Sequence, residues 1–206
     1  MLDDLLSLTN SHEFEEYGTI SLVGVRLEEN MILTLDLNLG GDTDVHQVWE
    51  IECKGVLEHQ ISLGPCDEFS LHRDHVLLWP YIYPCSSVSF YGEAKNHLAV
   101  VEALLKQHVR LVGDGIPFDR FMNGNPVEMV GGRYGMLADG PMPLMESYAK
   151  VLESFGISSN TTEPRPAPYT NDELSGLAEV GVLILEKGCY FVATDFIARR
   201  LRDPEI

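Results

Sequence analysis

The strongest constraint on this chain is alternation. Met31, Leu33, Leu35, Leu37 and Leu39 alternate with Ile32, Thr34, Asp36 and Asn38. Side chains along a strand point to opposite faces with period two, so the pattern predicts a strand with one buried and one wet face. Gly40-Gly41-Asp42 closes it as a turn. Trp49, Ile51 and Cys53 then alternate with Glu50 and Glu52, and Leu57, His59, Ile61 and Leu63 with Glu58, Gln60 and Ser62. An earlier strand over residues 18–27 changes its apolar parity near Gly24, which predicts a bulge. The nearly continuous apolar run from His75 to Tyr83 reads as a strand buried on both faces, its ladder limited by Pro80 and Pro84. Ser87 to Gly92 makes another short strand. About six strands thus fall within residues 17–92, with no helix between them to carry a parallel crossover. The expected fold class is α+β, with an antiparallel meander or small sandwich over residues 17–92 followed by helices and a C-terminal hairpin.

Helical period appears outside that region. Leu2, Leu5, Leu6 and Leu8 suggest a short helix over residues 1–9. Leu98, Val101, Leu104 or Leu105, His108 and Leu111 fall on one stripe, ended by Gly113-Asp114-Gly115. Residues 122–142 read as loop, with a strand around Tyr134 to Ala138. Pro143 opens a helix whose Leu144, Tyr148, Val151, Leu152 and Phe155 share a face, and Gly156 is placed to cap it. Ser158 to Asn171 reads as a proline-bearing linker, and Thr170 with Glu173 as a capping box. Val180–Leu185 and Cys189–Ala193 flank a turn and predict a hairpin. Asp195 then caps a last helix bearing Arg199, Arg200 and Arg202. The expected organisation is residues 1–124 as sheet plus helix and 125–206 as a helical segment with the hairpin, or one continuous domain.

Charge narrows the classes of function. The net charge is −18, and residues 1–70 hold 15 acids against Arg26 and Lys54 alone. Such a surface repels nucleic acid and anionic membrane, and it attracts a basic protein. No apolar run approaches the ~20 residues of a membrane helix. The start, Met-Leu-Asp-Asp-Leu-Leu, lacks the basic and apolar regions of a secretory signal, so a cytoplasmic location is expected. Cys53, Cys66, Cys85 and Cys189 have no C-x-x-C spacing. They read as reduced thiols, with Cys53 and Cys189 filling core.

Few motifs carry chemistry. Asp42-x-Asp44-x-His46 could turn three ligands to one side of an extended segment, and His72-Arg73-Asp74-His75 supplies two further imidazoles. These five side chains, Asp42, Asp44, His46, His72 and His75, are the weak metal candidates; a solvated turn and a polar strand entry are the ordinary alternatives. Cys85, in Tyr83-Pro84-Cys85-Ser86-Ser87, is a conceivable thiol nucleophile or a plain turn residue. Gly131-Gly132-Arg133-Tyr134-Gly135 lacks dinucleotide or phosphate-loop spacing. No cofactor is expected, and no catalytic residue is assigned. Trp49, Trp79 and Tyr81 with Asp36, Asp42, Asp44, Glu50, Glu52 and Glu58 are the candidate binding surface, because aromatics anchor interfaces and carboxylates meet a partner's Arg and Lys.

Three functions follow. The first is a non-catalytic acidic protein that docks a basic partner, a toxin among the candidates. Immunity proteins against secreted nuclease toxins share this general make-up. The alternatives are a metal-dependent enzyme using Asp42, Asp44, His46, His72 and His75, and a structural homo-oligomeric module.

Overall fold

The computed structural model describes residues 2–40, 46–113, 115–169, 179–186 and 188–201. Along the chain run α1 (Leu2–Thr9), α2 (His12–Tyr17), β1 (Thr19–Leu27), β2 (Met31–Asn38), β3 (His46–Lys54), β4 (Glu58–Gln60), β5 (Gly64–Cys66) and β6 (Ser70–His72). A 3-10 turn over Val76–Leu78 leads into α3 (Trp79–Ile82), β7 (Cys85–Tyr91) and α4 (His97–Val112). A second 3-10 turn, Phe118–Phe121, precedes α5 (Pro126–Gly131), β8 (Tyr134–Pro141), α6 (Met142–Ser154) and β9 (Ser158–Thr161). The last strands are β10 (Gly181–Glu186), β11 (Cys189–Ala193) and β12 (Asp195–Arg200). The fold is α+β and the paired strands are antiparallel.

The strands form three sheets, ordered β12-β3-β2-β1-β5, β4-β11-β10-β6 and β8-β7-β9. Contacts divide the chain into two compact units, residues 1–78 with 171–206, and residues 79–170. The first unit is a two-sheet sandwich: one buried cluster draws Leu22, Leu33, Leu35 and Ile51 from the first sheet and Leu183, Leu185 and Phe191 from the second. Its alternation is the one seen in the sequence, with Leu33, Leu35 and Leu37 inward and Thr34, Asp36 and Asn38 outward. In the second unit α6 packs on β7, β8 and β9, α5 packs on β8, and α4 packs on both helices, around Val88, Leu104, Leu137 and Tyr148. The expected division between residues 124 and 125 falls inside this second unit.

The bulge near Gly24 is present. Leu22 pairs with Leu35 and Gly24 with Thr34, so Val23 is the extra residue. Ile20 and Leu22 face the core before it, and Val25 packs against the core after it. The extra residue thus turns Arg26 to the outer face.

Several local expectations are corrected. His75 to Tyr83 is not a strand but the 3-10 turn and α3. A short apolar run reads equally as strand or buried helix, and Pro80, with no N–H to give, suits a first helical turn. Asp195 opens β12 rather than a helix; Phe196 and Ala198 face the core while Ile197 and Arg199 face out, a period of two. The strand expected over residues 57–63 is only Glu58–Gln60, and Ile61 and Leu63 are exposed. Among the described residues of 17–92 there are thus seven strands, four of nine, eight, nine and seven residues and three of three residues each. Part of the expected linker, Ser158–Thr161, pairs with β7 as β9. The expected loop over residues 122–142 contains α5, whose Asn125 side chain accepts from the Val127 N–H at 3.0 Å. The capping box of Thr170 and Glu173 lies outside the described residues.

Candidate functional site

Two arginines close on Glu50. Alternation along β3 puts Trp49 and Glu50 on opposite faces. Trp49 enters the core, where its indole N–H donates to Gln47 Oε1 at 3.0 Å. Glu50 turns outward, yet its side chain is only 7% exposed. Arg26 Nη1 donates to Glu50 Oε1 at 2.6 Å, and Arg199 Nε donates to Oε2 at 2.7 Å. Arg199 stands directly opposite Glu50 in the ladder, whereas Arg26 reaches diagonally from beyond β2. Burial alone would raise the carboxyl pKa; the Arg26 guanidinium, seconded by Arg199, outweighs it and holds Glu50 below the usual carboxylate range.

The same outer face carries Asp36, 3.3 Å from His46 Nδ1, and Glu52, which accepts from Asn30 Nδ2 at 2.7 Å. The fold therefore brings Asp36, Glu50, Glu52 and His46 to one face. Glu58 lies on β4 in the second sheet and accepts from the Tyr190 hydroxyl at 2.6 Å. Trp79 and Tyr81 belong to α3 of the second unit, where Trp79 meets Tyr83 edge to face and Tyr81 meets Tyr169. Asp42 and Asp44 lie outside the described residues.

His72 and His75 do meet, their ring centroids 5.5 Å apart. The Ser70 hydroxyl donates to Glu68, so its oxygen accepts from His72 Nε2 at 2.8 Å. Burial, seconded by His72, lowers the pKa of His75, whose Nδ1 accepts from the Leu77 N–H at 3.2 Å. His46 lies on β3 of the first sheet and His72 on β6 of the second. Among the described residues, no three His, Cys, Asp or Glu side chains are arranged to hold a metal ion. Burial raises the Cys85 thiol pKa, which disfavours the reactive thiolate.

The first unit also contains a cleft of about 580 Å³, between α2 with the start of β1 and the segment Pro65–Ser70. That is within the 300–1,000 Å³ range of ligand sites. Among its lining residues Phe14, Ile20 and Phe69 are apolar and buried. Its carboxylates are Glu15, Asp67 and Glu68, all exposed, and no Lys, Arg or His is among the described lining residues. Gly18 makes this shape possible, since a Cβ there would lie 2.4 Å from the Phe14 ring and displace it.

No known family model matches this chain, and no curated protein or solved structure is significantly similar to it.

The cleft residues Glu15, Asp67 and Glu68 are absent from the candidates read in the sequence. Residues 15 and 67 are far apart along the chain, and only the fold sets α2 and the segment Pro65–Ser70 around one opening. Asp67-Glu68 following Pro65 was the one local signal.

Proposed function

We propose that this is a non-catalytic binding protein that accepts a basic segment of a partner protein in the cleft between α2 and residues 65–70. The observation that carries the reading is the lining itself: three exposed carboxylates over buried Phe14, Ile20 and Phe69, without a cationic side chain among the described lining residues. An apolar floor with an acidic rim suits a Lys or Arg side chain, whose methylenes pack while the charge stays at the mouth. The outer face of the first sheet fits this role less well, because Glu50 is already neutralised by Arg26 and Arg199. The first unit carries 23 acids and seven bases, the second nine and seven. Its field thus draws a cationic partner toward the unit that holds the cleft. A cytoplasmic inhibitor of a basic toxin, similar in role to an immunity protein, is the specific form proposed. No described helix is long and apolar enough to cross a membrane.

The test is affinity capture from cell extract at low salt with three proteins. These are the wild type, Asp67→Asn with Glu68→Gln, and Glu29→Gln with Glu128→Gln as an equal charge change elsewhere. A basic protein retained by the wild type and the control pair, released as salt rises, and lost with the cleft pair supports the reading. Equal retention by all three, or capture of an acidic partner, overturns it.

A further inference from the structure

The solvent side of α4 is unusual for a surface helix. Its inner side buries Val100, Leu104, His108 and Val112. Its outer side leaves Leu98 67%, Leu105 42% and Val109 51% exposed. Together with Glu102 these residues are spaced four, three and four apart, the spacing of a coiled-coil seam. At 100° per residue the four positions fall within about 60° of one another, a continuous stripe down the helix. The one charged position in the stripe is Glu102, whose carboxylate meets Lys106 Nζ at 2.6 Å on the flank.

This stripe is self-complementary when reversed. In an antiparallel pair with its two-fold axis between Ala103 and Leu104, Leu98 faces Val109 of the other copy and Glu102 faces Leu105. The same symmetry keeps the flank bearing Lys106 on one side for both helices. Each Glu102 then lies within one residue's rise, about 1.5 Å along the axis, of the level of the other copy's Lys106. Each Lys106 then shares its flank with its own Glu102 and with the opposing one, so the apolar contacts and the charges agree on a single register. We infer that α4 is the docking seam for a second copy of this chain, joined antiparallel through Leu98, Glu102, Leu105 and Val109. The inference concerns the second unit and stands apart from the cleft of the first.

Sedimentation equilibrium of the full chain between about 1 and 100 µM, the range spanning weak to moderate self-association, tests it with three variants. The wild type is expected to approach twice its 23.0 kDa mass as concentration rises. Leu105→Glu with Val109→Glu is expected to stay monomeric. Glu102→Lys alone sets lysine against lysine and is expected to weaken dimerisation at least tenfold. Glu102→Lys with Lys106→Glu restores opposite charges and is expected to recover it. All these positions are exposed, and circular dichroism confirms that each variant keeps its helices. A wild type that remains monomeric at the highest concentration assigns the stripe to a different partner and overturns the inference. So does a dimer indifferent to Leu105→Glu with Val109→Glu, or a charge swap that fails to rescue.

Discussion

Glu50 shows how a single side chain can look like a docking group and act as a fastener. Its carboxylate takes hydrogen bonds from strands on both sides of β3 through Arg26 and Arg199. Hydrogen bonds to a charged group are worth about 1.5–3 kcal/mol each; both guanidiniums here stay more than a third exposed, so Glu50→Gln is expected to cost about 1.5 kcal/mol in urea unfolding. The pH dependence has a definite sign. A carboxyl with a lowered folded pKa contributes stability in full above its unfolded value of about 4.3 and loses it as the pH falls through the folded value. The acid limb of the wild-type stability curve is therefore expected to be steeper than that of Glu50→Gln; superimposable limbs would count against the assignment. The outward position of Glu50 was legible from its alternation with Trp49. Its arginines were not, because they lie 24 and 149 residues away.

Elements differ in how plainly they announce themselves. The long alternating strands and the two amphipathic helices α4 and α6 were readable because each repeats its period several times, although α4 buries Val100, Leu104, His108 and Val112 and leaves Leu98 of the expected stripe exposed. The short pieces were not: β4, β5 and β6 have three residues each, fewer than any pattern can establish. The parity change at Gly24 was readable, and what it accomplishes emerged only in the sheet, where it turns Arg26 outward toward Glu50. Packing between α4 and α6 depends on a buried polar clasp. His108 Nε2 lies 2.6 Å from the Ile116 carbonyl oxygen, which can only accept, so this nitrogen carries the proton. His108 Nδ1 then accepts from the Tyr148 hydroxyl at 2.7 Å. Tyr148→Phe leaves that nitrogen buried and unpaired, at an expected cost of about 1–3 kcal/mol to the second unit. Trp79 fluorescence reads this unit when Trp49 is replaced by Phe in both proteins compared.

For the whole molecule, charge and topology are organised by the same division. The first unit has a net charge of −16 and the second −2, although the sequence's lopsidedness was visible only as an acidic first third. Long-range attraction of a cation falls with added salt because exposed charges are screened over about 8–10 Å at physiological ionic strength. The association rate of the captured basic partner is therefore expected to fall by tenfold or more between 20 mM and 500 mM salt in stopped-flow measurements, and an unchanged rate would exclude electrostatic guidance. The cleft proposed for binding was the least legible feature. Asp36, Glu50 and Glu52 do share a face, but the cleft is assembled by α2 and the segment after Pro65, which no spacing in the chain connects.

The pairing of β12 with β3 also bears on how the molecule comes into being. A ribosome delivers β3 first and β12 some 140 residues later, so at 5–20 residues per second the edge of β3 waits roughly 7–30 s for its neighbour. The inserted unit, contiguous in the chain, is complete before then. A nascent chain is thus expected to carry a finished second unit beside an unclosed sandwich, and that interval is when a chaperone would be most needed.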